Sequence, residues 1–447
     1  MRLLRPLLRH QPEMLRQFRL MTDPFMACCM RSGKTLVTIR GLRERYPNGR
    51  HLVLAPLTVL IPWQEELAKE GLKPQALLAD AKSDMLVLKW FGAKPGWFLV
   101  GPAALRANPK IAKLNWDSFT IDESTLARNP QADITRLVNH QEVRATTRVC
   151  LSGWPCPEGE ADWFEQCRFS GHGSFMGCDN FFQWRWRHFR KLDHDWVIRP
   201  GAKEVIRQAL VGKVYFLSAA QAGMPNRFIE EKRSLRLLPQ QKQFYDQMKK
   251  EFEVEFEGKT LSTKWDPVQH LRLHQIASGE VRWESGDCTH FDHKVKELLY
   301  LLGNELKGAG PVVVFFRFLE GVEAVERSLK KAGVGSRTIH GGKDIDQRRA
   351  ALADWKNRKA RVLLVQADCG KFALDLSMSN VAIFYSMGLS GETFEQCRQR
   401  LHHPLKKVSS LLIYFVTEGT LEADIVPRLR VKHGVGEFFF KKPKEVA

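Results

Sequence analysis

Short apolar runs that alternate with helical patterns restrict the fold of this chain more than any other feature of its sequence. They occur in two separate regions, and helical segments such as Lys34 to Tyr46 and Leu60 to Glu70 fall between successive runs. This alternation is typical of parallel strands that helices cover on both faces of a sheet. The predicted strands are Phe25 to Cys28, His51 to Ala55, Trp97 to Gly101, Ser118 to Ile121 and Arg148 to Ser152 in the first region, and Pro311 to Phe316, Ser336 to His340, Arg361 to Gln366, Val381 to Tyr385 and Ser410 to Val416 in the second.

The positions of these two regions define the domain organisation. At 447 residues the chain is too long for one ordinary domain. Between the regions, from Gly171 to Ser285, the pattern becomes aromatic-rich and helical. We therefore predict an α/β protein with two parallel-sheet lobes, residues 1–170 and 286–447, which are joined by a helical insert and linker at residues 171–285.

The composition excludes several classes of protein. No apolar run reaches the roughly 18 residues that cross a bilayer, and the arginine-rich N-terminal segment is followed by no secretory cleavage site. The nine cysteines include no CxxC pair, so the sequence encodes neither a disulfide framework nor a zinc ribbon. We expect a cytoplasmic protein that has no membrane partner.

The formal net charge of +19 is the first indication of a partner. The charge is spread along the chain, with a net +7 from Ser285 to the end and +12 before it. A basic excess that is distributed over both lobes favours a polyanion held along a groove, although a basic surface can also be merely solvated. We expect the polyanion to be nucleic acid.

The most specific local motif is Met30-Arg31-Ser32-Gly33-Lys34-Thr35, which follows an apolar run and opens a helical one. Its spacing is that of a phosphate-binding loop. Gly33 lets backbone N–H groups close around phosphate oxygens, Lys34 reaches the β and γ phosphates, and the Thr35 hydroxyl binds Mg²⁺. The first glycine of GxxxxGK[ST] is replaced by Cys28, a small residue at a supporting position. Residues Arg31 to Thr35 are thus expected to bind ATP.

A phosphate-binding loop also needs a carboxylate that orients the metal at the end of a neighbouring strand. The run Phe119 to Ser124 is apolar and then acidic, with Asp122 and Glu123 adjacent. We expect Asp122 to hold Mg²⁺ together with Thr35. Glu123 would then polarise the water that attacks the γ phosphate.

These motifs resemble helicase superfamily two, and within it the Swi/Snf-type double-stranded DNA translocases in their compact bacteriophage versions. The resemblance covers nearly the whole chain and implies two RecA-like lobes that bind ATP between them. In the first lobe it assigns Gln11 to reading adenine, Pro56 and Trp63 to contacting the DNA backbone, Asp122-Glu123-Ser124 to the Walker B box, and Leu151 to Pro155 to the link between ATP state and DNA grip, with Trp154 in the usual place of a threonine.

The second lobe continues the resemblance. His340-Gly341 and the segment Gln366 to Leu376 are similar to motifs that contact DNA, and Gln396 to His403 is similar to motif VI, in which two arginines three apart reach the phosphates of ATP. Arg400 fills the first of these places and His403 the second. Because a histidine is shorter and mostly neutral at pH 7, this substitution implies either slow ATP hydrolysis or rescue by another cation such as Arg398.

The insert contains a segment in which aromatic residues alternate with cations, including Arg185 and Arg187. This pattern fits a surface that lies on phosphates. It fits equally well a core helix whose arginine stems extend to solvent.

The function that the resemblance implies is that of a monomeric motor, driven by ATP with Mg²⁺, which translocates along double-stranded or branched DNA and remodels it or displaces proteins from it. Two alternatives stay open. One is a DNA-binding scaffold with a weak or decayed ATPase, and the other is an RNA-directed helicase.

Overall fold

The computed structural model describes residues 5–78, 95–140, 143–193, 195–223, 228–251, 253–256, 259–262, 266–371, 374–402, 406 and 408–440. The described residues form two compact units. The first contains the residues up to 223 together with 432–440, and the second contains residues 228–431. No helix among the described residues is long and apolar enough to cross a bilayer.

The first unit is built on a parallel sheet of seven strands. Its strands are β1 (Phe25–Cys28), β2 (Arg50–Leu54), β3 (Pro74–Leu78), β4 (Gly96–Val100), β5 (Trp116–Asp122), β6 (Ala145–Ser152) and β9 (Val214–Leu217), and their spatial order is β3-β4-β2-β5-β6-β1-β9. Both faces of the sheet are covered, because Phe25 and Ala27 point into one hydrophobic cluster whereas Met26 and Cys28 point into another. This alternation across a strand explains why the run is apolar throughout.

Helices cover both faces of this first sheet. They are α1 (Gln11–Leu20), α2 (Lys34–Arg45), α3 (Leu57–Lys69), α4 (Pro102–Ala107), α5 (Asp133–His140), α6 (Trp163–Ser170), α7 (Phe181–His188) and α8 (Ala202–Leu210). A short antiparallel hairpin, β7 (Phe189–Leu192) with β8 (Asp195–Ile198), directly follows α7.

The second unit contains a parallel sheet of six strands. These are β10 (Phe228–Leu235), β15 (Val312–Phe316), β16 (Ser336–Ile339), β17 (Val362–Gln366), β18 (Val381–Phe384) and β19 (Ser410–Thr417), in the spatial order β10-β19-β18-β15-β17-β16. Two hairpins accompany it, β11 (Glu253–Phe256) with β12 (Lys259–Ser262) and β13 (Glu280–Arg282) with β14 (Cys288–His290).

The helices of the second unit are α9 (Pro239–Glu251), α10 (Asp266–Ser278), α11 (His293–Gly303), α12 (Leu319–Lys331), α13 (Ile345–Lys356), α14 (Gly391–Gln399) and the first part of α15 (Glu422–Phe440). Residues 432–440 of α15 belong to the first unit. There Trp154 stacks on His433, with ring centroids 4.9 Å apart, and on Phe440.

The predicted fold class, α/β with two parallel-sheet lobes, is confirmed. The boundaries of the insert differ from those expected, because β9 is an edge strand of the first sheet and β10 is an edge strand of the second. The segment 171–285 therefore contributes to both lobes instead of forming a separate helical body. Strand β10 pairs in parallel with β19 and so extends the second sheet by one strand.

Candidate functional site: the phosphate-binding loop and its partners

The loop between β1 and α2 has the backbone of a tight turn that opens a helix. Gly33 caps α2 with a φ of +79°, and Arg31 also has a positive φ, of +62°. Glycine adopts such a conformation without strain, so the position before Lys34 suits glycine. The Lys34 ammonium donates to the carbonyl oxygen of Cys28 at 3.0 Å and to that of Cys29 at 3.4 Å, so it lies over the loop.

Gln11 braces this loop from α1. Its Nε2 donates to the carbonyl oxygen of Ser32 at 3.0 Å, while its Oε1 accepts from the backbone N–H of Leu8 at 2.8 Å. His10 adds a second contact to the same carbonyl, with Nε2 2.9 Å away. A Cβ at Gly33 would lie 2.0 Å from Gln11 Nε2, so only a glycine leaves room for the brace. The role of Gln11 in reading adenine stays a prediction.

The loop fits a bound polyphosphate. The Ser32 hydroxyl is buried and has no hydrogen-bond partner among the described residues. A buried hydroxyl without a partner is costly and is normally satisfied by a ligand or water. The loop also leads into the first turn of α2, where unpaired backbone N–H groups and the helix dipole favour an anion. Thr35, in that first turn, is half-buried.

Asp122 ends β5 as a buried carboxylate with specific donors. The indole Nε1 of Trp63 donates to its Oδ2 at 2.7 Å, and the backbone N–H of Glu123 donates to its Oδ1 at 2.9 Å. Burial raises the pKa of Asp122, an effect that the nearby Lys34 ammonium and the Trp63 hydrogen bond oppose. A buried carboxylate of this kind gains strongly from a cation at its free lone pairs, as a bound Mg²⁺ would supply.

Glu123 leaves the strand through a strained backbone. Its φ of +56° lies in the left-handed region, which costs a non-glycine residue roughly 1–3 kcal/mol. A short 3₁₀ turn, Ser124–Ala127, follows directly. The Ser124 hydroxyl donates to Gln166 Oε1 at 2.6 Å, which holds the turn on α6. Strain at a carboxylate beside the residue expected to hold Mg²⁺ is typical of a functional residue.

Trp63 corrects one expectation from the sequence. The resemblance assigned this side chain to contacts with DNA, but it is fully buried and donates to Asp122. A ring without exposed surface offers nothing to a phosphate backbone, so Trp63 is removed from the set of nucleic-acid-binding residues. Pro56, from the same motif, is partly exposed at the start of α3.

In the second unit, the end of α14 carries the residues of motif VI. Arg400 is the C-cap residue and is half-buried, and its carbonyl oxygen accepts from the backbone N–H of Leu376 at 3.2 Å. Gln396 is buried, with its Nε2 3.3 Å from Glu392 Oε1. His403 lies outside the described residues.

Arg398, the expected substitute for the second arginine of motif VI, is held in the interior of the second unit. Its guanidinium pairs with Glu395 and with Glu230, each at 3.3 Å, and it lies over the ring of Phe228 at 4.6 Å. Only 8% of the side chain is exposed. An arginine held by two carboxylates and an aromatic ring stabilises the packing of α14 against β10, which argues against the proposed rescue role.

The residues after β16 and β17 lie together, as expected for the carboxyl ends of neighbouring parallel strands. Gln366 Oε1 accepts from the backbone N–H of Gly341 at 3.0 Å, and His340 Nδ1 accepts from that of Gly342 at 3.1 Å. Burial and the nearby Lys343 lower the pKa of His340, which keeps this nitrogen free to accept. Arg348 donates to the carbonyl oxygen of Gly341 at 2.9 Å. Together they form one partly exposed polar group.

The two arginines of the insert have different surroundings. Arg187 is exposed on α7. Arg185 instead lies over the ring of Trp196 at 4.1 Å, and burial lowers the pKa of its guanidinium. The surroundings of Arg185 fit an arginine that packs on the protein, whereas contact between Arg187 and phosphates stays a prediction.

Comparison with known proteins identifies the family. A family model described as the SNF2-related domain matches residues 25–278, more than half of the chain, and a model described as the helicase conserved C-terminal domain matches residues 293–404.

The chain belongs to the SNF2-related family. It is thus a member of the nucleic-acid-dependent ATPases of helicase superfamily two, as the resemblance implied.

Relatives of this SNF2-related chain include chromatin-remodelling proteins. It is 21% identical over 430 residues to the SWI/SNF-related matrix-associated actin-dependent regulator of chromatin subfamily A member 1 of Mus musculus, covering 90% of this chain and 40% of that protein. It is 22% identical over 419 residues to the ISWI chromatin-remodeling complex ATPase CHR17 of Arabidopsis thaliana, covering 89% and 38%. The chain thus spans about two fifths of the length of these relatives.

Among solved structures, the Sulfolobus solfataricus SWI2/SNF2 ATPase core in complex with dsDNA is similar in part. The sequences are 17% identical, the match covers 99% of this chain and 96% of that one, and the TM-score is 0.44.

Two features of this SNF2-related site were not predicted from the sequence. Trp63 is 59 residues from Asp122, and nothing in the helical pattern of α3 indicates that its indole reaches the carboxylate. His10 is next to Gln11 and shares its acceptor, the Ser32 carbonyl oxygen. The adjacency of His10 to an expected binding residue was the only available signal.

Proposed function

We propose that this chain is an ATP-driven motor that translocates along double-stranded DNA and remodels branched or protein-bound DNA. The observation that supports this proposal most is the site in the first unit. There the Lys34 ammonium lies over the phosphate-binding loop and interacts electrostatically with the buried carboxylate of Asp122. This pairing is what hydrolysis of a nucleoside triphosphate requires. The family membership of both halves supports the same proposal.

Each residue of the site in the first unit would have its own role in ATP hydrolysis. Backbone N–H groups around Gly33 and the Lys34 ammonium would hold the phosphates, and Gln11 would read adenine. Thr35 and Asp122 would hold Mg²⁺, which when bound neutralises charge that develops on the phosphate oxygens. Glu123 would polarise the attacking water.

The second unit would supply motif VI. Arg400, with its side chain half-buried at the end of a helix, is the side chain that we expect to contact the phosphates. Gln396 and His403 would complete the group. A single arginine paired with a histidine would leave turnover slower than two arginines would.

Duplex DNA is the partner that the charge and the surface residues support. Pro56 and Arg187 in the first unit are at least partly exposed, as is the polar group of His340, Gly341 and Gln366 in the second. The net charge of +19 favours binding that falls steeply with salt. Backbone contacts of this kind give little sequence preference.

An RNA-directed helicase is the second candidate, because part of the chain matches RNA helicases. The chain is 29% identical over 103 residues, or 23% of its length, to the pre-mRNA-splicing ATP-dependent RNA helicase PRP28 of Phaeosphaeria nodorum. The SNF2-related match covers a longer part of the chain, which favours DNA.

Steady-state ATP turnover separates these functions. The purified chain is measured alone, with blunt duplex DNA and with duplex or single-stranded RNA of the same sequence. We expect stimulation by duplex DNA well above that by RNA. Stimulation by RNA alone would favour the helicase, and turnover that no nucleic acid changes, with DNA still bound, would favour the scaffold with a decayed ATPase.

A further inference from the structure

The segment Phe181–Arg199 forms an aromatic and basic surface on the first unit. It consists of α7 and the hairpin β7–β8. Its exposed aromatic and basic members, which we call the Trp186 surface, are Phe182, Trp186, Arg187, Arg190, Lys191 and Arg199. Trp186 is 59% exposed, although tryptophan is a residue that folding normally covers.

Trp186 is held in place by its neighbours. Its ring meets the edge of Trp196 at a centroid distance of 5.0 Å and an interplanar angle of 89°. Arg185 covers Trp196 at 4.1 Å, and the Arg199 guanidinium donates to the Trp186 carbonyl oxygen at 3.3 Å. An exposed ring that packs on a second, supported ring is preorganised to stack on a ligand, because little freedom is lost when it binds.

The charge around the ring is basic. Segment 181–199 contains five Arg or Lys residues and two Asp residues. Lys191 pairs directly with Trp196 across the hairpin, so its side chain lies on the same face as that ring. The two acidic residues, Asp193 and Asp195, lie at the turn end of the hairpin. Lys191 therefore shares a face of the hairpin with Trp196, whereas Asp195, the preceding residue on the strand, lies on the opposite face.

Aromatic rings flanked by cations match the chemistry of an unpaired nucleic acid strand. A free base presents a flat face that stacks on an aromatic ring, and the adjoining phosphates pair with Lys or Arg. Bases within a duplex are already stacked on each other and offer that face only at an end. A protein partner would be expected to cover a more apolar and less charged surface at its centre.

We propose that Trp186 stacks on an unpaired base of a DNA strand at a fork or branch, with Arg187 and Lys191 neutralising the adjoining phosphates. The inference rests on the proposed function, which it deepens by naming the DNA structure that the motor prefers. It gives the first unit a contact that distinguishes forked DNA from a plain duplex.

The test compares binding to a forked DNA, which has two unpaired arms, and to a blunt duplex of the same paired sequence. Dissociation constants are measured by fluorescence anisotropy for the wild type, Trp186→Ala, Trp186→Phe and Arg187→Gln. Tyr300→Ala, at a 53% exposed ring of α11, is the matched control for removing an exposed aromatic side chain. A 2-aminopurine in one arm reports stacking directly, because its emission falls when it stacks on a ring.

We expect the wild type to bind the fork more tightly than the duplex. Trp186→Ala should weaken fork binding by roughly 5- to 150-fold, the range for losing one base–aromatic stack, and leave duplex binding unchanged. Trp186→Phe should restore most of the fork affinity and the quenching of 2-aminopurine. Arg187→Gln should weaken binding of the fork more than binding of the duplex, because the phosphates that Arg187 neutralises adjoin the unpaired base, and Tyr300→Ala should weaken neither.

Equal wild-type affinity for fork and duplex would overturn the inference, as would an equal loss for both DNAs in Trp186→Ala. In either case duplex-stimulated ATP turnover would still support the proposed function. If the wild type binds no DNA of any structure, both proposals are wrong. A fork with RNA arms that binds as tightly as one with DNA arms would overturn the assignment to DNA.

Discussion

The indole of Trp63 donates a hydrogen bond of 2.7 Å to the carboxylate of Asp122. Trp63 lies in α3 and was itself expected to contact DNA, whereas Asp122 is the carboxylate expected to hold Mg²⁺. The bond fixes one carboxylate oxygen and leaves the lone pairs of the other for the backbone N–H of Glu123 and a metal. We therefore expect Trp63 to position this carboxylate for Mg²⁺.

The first prediction follows from this bond. Trp63→Phe keeps an aromatic ring in the core but removes the donor, so Asp122 should bind Mg²⁺ less well. Loss of such an outer partner typically weakens metal affinity roughly 10- to 100-fold. The measurement is ATP turnover as a function of Mg²⁺ concentration, in which half-maximal activity should shift to higher Mg²⁺ while activity at saturating Mg²⁺ recovers.

Trp97→Phe is the matched control, since this buried ring is a neighbour of Trp63 at 6.1 Å between centroids. It should change stability to a similar extent without moving the Mg²⁺ requirement. An identical Mg²⁺ curve for Trp63→Phe and the wild type would show that the bond has no positioning role.

The second prediction concerns the reacting groups. Lys34→Ala should abolish ATP hydrolysis, because it removes the cation expected to hold the phosphates, and the protein should stay folded, because Asp122 keeps its hydrogen bonds from Trp63 and the backbone of Glu123. Asp122→Asn should lose Mg²⁺ affinity, whereas Glu123→Gln should bind ATP and fail to hydrolyse it. Nucleotide binding and turnover are measured side by side. Wild-type turnover in Glu123→Gln would remove this carboxylate from the mechanism.

The third prediction separates backbone strain from the bracing of the loop. Gly33 and Gly71 have almost the same φ, +79° and +77°, but a Cβ meets Gln11 at Gly33 and nothing within 4 Å at Gly71. Gly33→Ala should therefore displace the Gln11 amide from Ser32 and eliminate ATP binding. Gly71→Ala should cost only the strain of a left-handed alanine, about 1 kcal/mol, and keep ATP binding. Calorimetric titration with ATP tests both, and equal affinities would contradict the brace.

The strands show which parts of the fold the sequence pattern predicts. Predicted and observed bounds agree within a few residues for the central strands, such as β1 and β15, because buried parallel strands are apolar along their whole length. The edge strand β10 was missed. Its sequence, Phe228–Leu235, begins with two apolar residues and continues with four charged ones, so it does not form an apolar run. The pattern identified the two sheets and the edge strand β16, but it missed the edge strands β3, β9 and β10.

The site residues show the same difference between what the sequence predicts and what it does not. The phosphate-binding loop and the Asp122-Glu123 pair are local in sequence, and their spacing alone predicts the chemistry. Contacts between distant residues are not encoded locally. Arg398 and Glu230 form an ion pair although they are 168 positions apart. This pair assigns a structural role to an arginine that the sequence analysis considered as a catalytic substitute.

The fourth prediction uses this distinction between two arginines of motif VI. Arg398→Ala should destabilise the protein by about 3 kcal/mol, because it leaves the buried Glu395 without its ion-pair partner, whereas the exposed Glu230 keeps its ion pair with Arg430. Arg400→Ala should leave the unfolding temperature nearly unchanged and reduce turnover by roughly 10³-fold or more, as for loss of an arginine finger. Thermal unfolding and ATPase assays are compared for both variants.

His403→Arg extends this test to the position that departs from the family pattern. A second arginine should raise DNA-stimulated turnover at neutral pH. Unchanged turnover would mean that His403 does not stand in for a phosphate-contacting arginine. A stable Arg398→Ala variant with abolished turnover would show that Arg398 is the arginine that contacts the phosphates.

The measurement that tests the central claim most directly is displacement of a third strand from a triplex placed on duplex DNA. A motor that moves along the duplex must expel that strand, whereas a scaffold or a stationary ATPase leaves it in place. We predict that the wild type displaces it only with ATP and Mg²⁺, and that Glu123→Gln displaces none. Displacement by the wild type that is no faster than spontaneous release, while duplex-stimulated ATP hydrolysis proceeds, would contradict the account.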